Sequence, residues 1–129
     1  MLDQDAIRRI VSDLHFPPGQ YWVTAGAALV LHGVKQYTKD VDIGCTRALF
    51  EALIGNGHPA HTLADGLRSI ELANVEVFEA WNVDQVIDLD GIPVASLEDV
   101  KRQKRELGRS KDLEDISLIE IYQGRASWK

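Results

Sequence analysis

The chain has 129 residues, 45% hydrophobic and 26% charged, which favours one globular domain over residues 1–129. Its 20 acidic residues outnumber its 14 lysines and arginines, giving a formal net charge of −6, so a general attraction to nucleic-acid backbone is not expected. A single cysteine, Cys45, excludes an internal disulfide and fits a reducing compartment. We find no signal peptide and no apolar run of about 20 residues, and we expect a cytoplasmic protein without membrane contact.

The first part of the chain predicts helix, strand, helix and strand. Apolar residues recur at helical spacing over 7–14, with Asp3 as the expected N-cap. Residues 21–24 predict a strand, and an almost wholly apolar helix begins near Gly26 and ends at Gly33. A second strand follows at 40–43, in which the two aspartates share one face and the valine and isoleucine share the other.

The second part predicts a helix over 47–54, strands over 67–72 and 75–79, and extended pieces within 86–94. Pro93 favours an edge position for the last of these. Two helices, over 97–107 and 111–122, end the chain. The irregular alternation predicts an α+β fold with a small mixed β-sheet flanked by helices. We expect Trp22, Trp81 and Trp128 to serve as core or interface residues.

Asp40 and Asp42 are the most informative residues. Two carboxylates on one face of a strand repel each other, and a bound divalent cation removes that penalty. Ligands made only of oxygen suit Mg²⁺ or Mn²⁺. Glu76, between two valines in a predicted strand, is a candidate third carboxylate on the same face. The alternative is that all three acids line the solvated face of an exposed sheet.

Gly26 stands between a predicted strand and a predicted helix. Its small size allows a ligand to approach the backbone N–H groups at the start of the helix, where phosphate groups bind well. Close packing of the helix on the sheet explains the same glycine equally well. The sequence leaves both interpretations open.

A resemblance adds to this pattern. The run V-T-A-G-A-A-L-V-L-H-G at 23–33, followed by T-K-D-V-D-I at 38–43, resembles the signature of the polymerase-beta-like nucleotidyltransferase superfamily. It is similar to the small prokaryotic branch that includes abortive-infection toxin nucleotidyltransferases. Two departures stand out, because Ala25 occupies the place where a first glycine is usual and Glu76 the place where aspartate is common.

The resemblance implies a minimal nucleotidyltransferase fold and a set of site residues. Asp40, Asp42 and Glu76 take the positions of the catalytic and metal-binding acids. Gly26 and Ala27, at the start of the helix, take positions that contact the nucleotide.

The C-terminal segment is similar to the tail of the same branch, with a helix lysine, Lys104, ahead of G-R-S-K-D-L-E-D-I at 108–116. Lys104 lies in the apolar stripe of its helix, where an isolated charge is prohibitive. Either Lys104 or Arg109 forms a salt bridge to Asp112 that fixes two helices, or Lys104 contacts nucleotide phosphates. We expect Asp112 and Asp115 to be structural.

The implied activity is Mg²⁺-dependent transfer of a nucleoside monophosphate from an NTP, such as ATP, to an acceptor hydroxyl with release of pyrophosphate. The resemblance suggests a protein, tRNA or small-molecule acceptor, and the short chain predicts an acceptor surface supplied by a second subunit or a partner protein. Nucleic-acid binding would require a local basic face. Two alternatives stay open, a non-catalytic binding or toxin–antitoxin module and, less favoured, a metal-dependent phosphohydrolase.

Overall fold

The computed structural model of the chain describes residues 1–80 and 83–127, the last three of these by their backbone only. Five helices alternate with seven strands in this part of the chain. In chain order they are α1 (Gln4–Leu14), β1 (Tyr21–Thr24), α2 (Ala25–His32), β2 (Val41–Cys45), α3 (Arg47–Gly55), β3 (Ala60–Thr62), β4 (Arg68–Leu72), β5 (Val75–Glu79), β6 (Val86–Leu89), β7 (Ile92–Ala95), α4 (Leu97–Leu107) and α5 (Ser110–Ser127).

The seven strands form one sheet in the order β3-β4-β5-β2-β1-β7-β6. The pairs β2/β5 and β1/β7 are parallel, and the other neighbouring pairs are antiparallel. The mixed sheet, the flanking helices and the two C-terminal helices confirm the α+β fold that the sequence predicted.

The helices begin and end where the sequence has capping residues. Asp3 accepts a hydrogen bond from the Ala6 amide at the start of α1 (2.9 Å), and Ser96 accepts one from the Asp99 amide at the start of α4 (3.1 Å). Gly33 ends α2 in a left-handed conformation (φ 87°) that glycine adopts without steric penalty. These local signals explain why most boundaries were predicted within about two residues.

Helix α2 forms the centre of the core. Five consecutive residues, Ala27, Ala28, Leu29, Val30 and Leu31, are buried. The helix packs against α1, α4 and the strands β1, β2 and β7, so it has no solvent face and its sequence needs no polar stripe. Within the described residues, no helix has both the length and the apolar character needed to cross a membrane.

Two features differ from the sequence-based expectation. Strand β3 was missed because its three residues are all at least partly exposed and give no apolar alternation. The edge position expected for Pro93 is wrong, because β6 forms the edge and β7 lies between β6 and β1. The proline is tolerated there because the β1/β7 ladder is short, with a single register pair, Val23 with Val94.

Trp22 is half-buried on β1 and packs against the core. Its indole ring passes so close to Gly44, its register partner on β2, that a Cβ at residue 44 would overlap Nε1 of the ring. Gly44 is therefore needed for this packing. Trp81 and Trp128 lie outside the described residues.

Candidate active site

A row of polar side chains crosses four neighbouring strands. Thr24 at the end of β1 is the register partner of Asp42 on β2, and Asp42 is the partner of Glu76 on β5. Glu76 is in turn paired with Glu71 on β4. Register partners on adjacent strands point to the same face of the sheet, so these side chains lie side by side. Asp40 precedes β2 by one residue and is exposed.

The environment of Asp42 opposes a negative charge. Its strand neighbours Val41 and Ile43 are fully buried on the other face. Burial, followed by the charges of Glu76 and Asp40, raises the pKa of Asp42 to about 6, although Lys104 and Lys111 act in the opposite direction. A carboxylate held in this way favours the binding of a cation.

The start of α2 lies next to this row. Thr24 is the N-cap residue of α2, but its hydroxyl donates a hydrogen bond to Oε1 of Gln103 on α4 (2.7 Å) and does not cap the helix. Ala25 has φ +56°, in the left-handed region where a side chain is strained. This geometry explains why a glycine suits position 25, the place of the first glycine in the resembling motif.

The lack of a side chain at Gly26 is explained by its close contact with the loop that carries Thr38. A Cβ at residue 26 would lie 2.6 Å from Oγ1 of Thr38, so the missing side chain makes room for the Thr38 hydroxyl. Thr38 is held by two backbone hydrogen bonds to Leu2, with N···O distances of 2.7 and 3.0 Å. Gly26 therefore serves close packing at the site. Ala27, the next residue, is fully buried in the core.

Charged side chains from α4, α5 and the segment after α2 form a connected network. Nζ of Lys104 lies 2.9 Å from Asp115 and 3.5 Å from Asp112. Asp112 is fully buried and also accepts two hydrogen bonds from the guanidinium of Arg109 (2.6 and 3.2 Å). Lys35 pairs with Asp115 at 3.2 Å. Asp112 thus binds both candidate partners, as the structural interpretation predicted.

The hydrogen bonds from Arg109 are the main reason that the pKa of Asp112 lies below its ordinary value, despite burial. Asp112 therefore stays charged and fixes the loop between α4 and α5. Lys104 pairs with aspartates and also lines a cavity, so both interpretations of this lysine remain compatible with its position.

A cavity of about 320 Å³ adjoins the first two aspartates. Asp40 and Asp42 line one part of it, together with Ala25 and Gly26 at the start of α2. Its basic lining residues are Lys35, Lys39, Lys104, Arg109 and Lys111. Five acidic residues line it too, Asp40, Asp42, Asp112, Glu114 and Asp115, and Asp112 and Asp115 pair with Lys35, Lys104 and Arg109. Lys39 and Lys111, which form no ion pair with a described residue, are the positive side chains left for an anion. We call this cavity, after its five cationic side chains, the basic cavity.

A second cavity of about 300 Å³ shares Asp40 and Asp42 with the first. Its other lining residues include Glu71, Asn74 and Glu76. The two aspartates thus lie between the basic cavity, which holds all five cationic side chains, and this second, acidic cavity, which has no cationic lining residue. Such an arrangement can hold two ligands of different charge on either side of a pair of carboxylates.

The oxygen atoms of the acidic side chains are the possible ligands for a metal ion at this site. Within residues 1–80 and 83–127, no three histidine, cysteine, aspartate or glutamate side chains already converge on one metal position. Mg²⁺ is commonly bound by one or two carboxylates, with water and substrate phosphates as the remaining ligands. Asp40 and Asp42, beside a basic cavity, fit that requirement.

Sequence reasoning missed several lining residues. Lys35, Tyr37, Glu71 and Asn74 lie in loops or on exposed strand positions with no apolar periodicity. Lys35 and Tyr37 lie in the segment between Gly33 and the acidic strand. That position, directly before the two aspartates, was the sequence signal that could have identified them. The contact between Leu2 and Thr38, 36 positions apart, brings this segment to the cavity.

No protein-family model matches the chain, and no curated protein matches it in sequence. Solved structures do match in fold. TM1012 of Thermotoga maritima, a candidate nucleotidyltransferase, is 20% identical and superimposes with a TM-score of 0.57, covering 88% of this chain and 89% of that one. ANT(2")-Ia, solved with adenylyl-2"-tobramycin, is 17% identical with a TM-score of 0.56, covering 94% of this chain and 87% of that one. The fold is therefore shared with nucleotidyltransferase structures.

Proposed function

We propose that this protein transfers a nucleoside monophosphate from an NTP to an acceptor hydroxyl and releases pyrophosphate. The observation that carries the proposal is the position of Asp42. It lies beside Glu76 on a parallel strand and lines a cavity that also holds four lysines and an arginine. These basic residues come from α4, from α5, from the turn between them and from the loop before β2. Carboxylates next to a basic cavity suit metal-assisted phosphoryl chemistry.

In this proposal the basic cavity binds the triphosphate. Lys39 and Lys111 line it, and neither forms an ion pair with a described residue, so both remain available to phosphate oxygens. Lys104 adds a positive charge that Asp115 holds in place. The backbone N–H group of Gly26, which lines the cavity in the first turn of α2, supplies a further donor where the helix dipole favours an anion. Ala27, expected from the sequence to take part, is fully buried and does not line the cavity.

Asp40 and Asp42 would hold Mg²⁺ or Mn²⁺, with Glu76 as a further ligand. When bound, the ion neutralises these carboxylates and the phosphate charge and supplies Lewis-acid polarisation of the phosphoryl oxygens. The raised pKa of Asp42 supports this assignment, because a cation relieves the repulsion that burial, Glu76 and Asp40 create.

The acidic cavity receives the acceptor. The hydroxyl oxygen of the acceptor forms a bond to the α-phosphorus of the NTP. The bond from that phosphorus to the oxygen bridging it to the β-phosphorus breaks, and pyrophosphate leaves. Glu76 takes the hydroxyl proton in this proposal, because it lines the acidic cavity next to Asp42. The chain's own residues therefore bind the triphosphate, orient the acceptor and accept its proton.

The structural likeness supports this activity. ANT(2")-Ia, of which this chain covers 87%, was solved with a nucleotidylated tobramycin. A chain of similar extent thus accommodates a small hydroxylated molecule, which supports a small-molecule acceptor here. A protein or tRNA acceptor, with a surface supplied by a second subunit or partner, remains the competing proposal, as does membership of a toxin–antitoxin pair.

The test uses NTPs labelled at the α-phosphate, incubated with Mg²⁺, the full chain and either cell extract or a panel of hydroxylated small molecules. We expect label in an acceptor and an equal amount of pyrophosphate. Asp42→Asn should lower the rate by about 100-fold or more, whereas Asp13→Asn, an exposed aspartate of α1, should not change it. Near-normal transfer by Asp42→Asn would falsify the proposal.

The products separate the competing functions. Free phosphate without label transfer indicates a phosphohydrolase. Nucleotide binding without any product, unchanged in Asp42→Asn, indicates a non-catalytic binding module. Label transfer with pyrophosphate release is expected from the proposed enzyme alone.

A further inference from the structure

We propose that the ring of Tyr37 is the surface on which the nucleobase of the NTP stacks. The inference rests on the proposed function and deepens it, because the groups assigned above account for the phosphates, the metal and the acceptor but leave the base without a partner. Tyr37 is the aromatic side chain among the described residues that line the basic cavity.

The exposure of Tyr37 supports a ligand contact. Half of its surface (50%) is accessible to solvent, and it stacks on no other ring of the described residues. A large exposed aromatic ring next to a charged cavity presents a flat apolar face to the ligand. Every nucleobase has a matching π-face, so such a surface binds bases without requiring one particular sequence of donors and acceptors.

The position of Tyr37 fits the layout of a nucleoside triphosphate. Tyr37 and Lys35 line the basic cavity and also a neighbouring one of about 490 Å³. That neighbouring cavity lacks the catalytic aspartates, and Lys35 is its single basic lining residue; besides Tyr37, the others are Asp3, Gln4, Asp5, Gly33 and Gln36. Tyr37 therefore lies at the boundary between the phosphate-binding region and a space without basic clustering. An uncharged base belongs at such a boundary.

The backbone next to Tyr37 is held in place. Thr38 forms two hydrogen bonds with Leu2, and the Gln4 side chain donates to the carbonyl oxygen of Val30 at the end of α2 (3.1 Å). The N-terminal residues thus connect the loop that carries Tyr37 to the core helix. A ring on a fixed backbone loses little conformational freedom when a base stacks on it, which favours binding.

The experiment separates base binding from phosphate binding. Wild type, Tyr37→Ala, Tyr37→Leu and Tyr37→Phe are titrated calorimetrically, in Mg²⁺, with each of the four NTPs and with inorganic tripolyphosphate, which lacks a base. We expect Tyr37→Ala to weaken NTP binding by about 5- to 100-fold and tripolyphosphate binding by less than 2-fold. Tyr37→Phe keeps the ring and should bind like wild type, whereas Tyr37→Leu, apolar but without a π-face, should resemble Tyr37→Ala.

Several outcomes would overturn the inference. Equal NTP affinities for Tyr37→Ala and Tyr37→Phe exclude stacking, and an equal loss for tripolyphosphate shows an effect on phosphate binding instead. If Tyr37→Leu binds the NTPs as tightly as wild type, an apolar side chain is sufficient at this position and the aromatic ring is not required. If wild type binds neither ligand, the proposed function fails and the stacking proposal with it, whereas a failure confined to Tyr37 leaves both wild-type affinities intact.

Discussion

Asp42 on β2 and Glu76 on β5 are register partners on two parallel neighbouring strands, so their carboxylates lie side by side on one face of the sheet. They are 34 positions apart in the chain, and only the parallel pairing of β2 with β5 brings them together. In the absence of a cation, the negative charges of Asp42 and Glu76 repel each other. Stability and activity should therefore respond in opposite directions when one charge is removed.

We expect metal-free Asp42→Asn to be more stable than wild type at pH 7 by about 1–2 kcal/mol. The pKa of Asp42 is raised to about 6 in the fold, above its ordinary value of 3.8. The carboxyl holds its proton more tightly in the folded state than in the unfolded state, so ionised Asp42 destabilises the fold. This destabilisation is absent below pH 4, grows from pH 4 to 6 and is complete above pH 6. Denaturant unfolding in EDTA at pH 4 and pH 7 measures it. A variant less stable than wild type at pH 7 contradicts the expected repulsion.

Ala25→Gly should stabilise the fold by about 0.5–1 kcal/mol, because glycine has no penalty at φ +56°. The matched control is Ala27→Gly, the same change two residues later in the buried, regular part of α2, which should destabilise by about 1 kcal/mol or more. Thermal melting of both variants shows whether each substitution raises or lowers stability relative to wild type. Two destabilising changes of equal size would show that Ala25 carries no strain.

Asp112→Asn should lower the free energy of unfolding by about 2–4 kcal/mol, because it leaves the buried Lys104 and the bound guanidinium of Arg109 without their shared carboxylate. Glu120→Gln removes an exposed acid whose pair with Arg105 spans 4.0 Å, and should change stability by less than about 0.5 kcal/mol. Urea unfolding compares the two. A small effect of Asp112→Asn would mean that the network is not essential to the packing of α4 on α5.

Lys111→Met should raise KM for the NTP by about 10-fold, the loss expected for one charge-assisted hydrogen bond. The residue is exposed, lines the basic cavity and forms no ion pair with a described residue, so the melting temperature should not change. Lys101→Met is the contrasting variant, because that lysine pairs with Glu98 outside the cavity. Equal KM values for the two variants would remove Lys111 from the phosphate site.

Acid should weaken the fold partly through Asp99. Burial raises the pKa of Asp99, but hydrogen bonds from the amides of Asp84 and Gln85 and from Ser96, with the charge of Arg102, lower it below its ordinary value overall. Ionised Asp99 therefore stabilises the fold. This stabilisation is complete above the ordinary aspartate pKa of about 4 and is lost as the pH falls through the lower pKa of Asp99 in the folded state.

Asp99→Asn should be destabilised by about 1–3 kcal/mol at pH 7, and the difference from wild type should shrink below pH 4. Unfolding curves at a series of pH values measure this difference. Asp88→Asn, at an exposed strand position, controls for the change in net charge. A difference that stays constant down to pH 2.5 would show that the charge of Asp99 is not what stabilises the segment.

Local sequence signals predicted the parts of the fold that depend on neighbouring residues. The caps Asp3 and Ser96, the stop at Gly33 and the apolar run of α2 are short-range features, and their elements were predicted nearly in full. Strand β3 and the interior place of β7 depend on partners that are distant in sequence. Their residues carry no pattern that identifies those partners, so they were missed or misplaced.

The candidate site divides in the same way. The spacing of Asp40 and Asp42, and the glycine at the start of α2, were visible in the sequence, because both follow from the geometry of single elements. For Gly26 the sequence left two interpretations open, room for a ligand and close packing of the helix on the sheet, and in the fold the Thr38 hydroxyl occupies the space at this glycine. Tyr37, Lys35 and Glu71 had no periodic signal and join the site only through the loop and strand pairings.

Periodicity, capping and turn residues act over a few positions, so they were sufficient to predict the helices, most strands and the acidic face of β2. Which charged side chains meet depends on how these elements pack. Asp42 reaches Glu76 through parallel pairing, Lys104 and Arg109 share Asp112 across the turn between two helices, and Tyr37 reaches the basic cavity because Leu2 binds Thr38. The Asp42–Glu76 and Leu2–Thr38 contacts join residues far apart in the chain, and the Lys104–Asp112 pair joins two helices. Burial and charge pairing in the folded state, rather than local preference, select them.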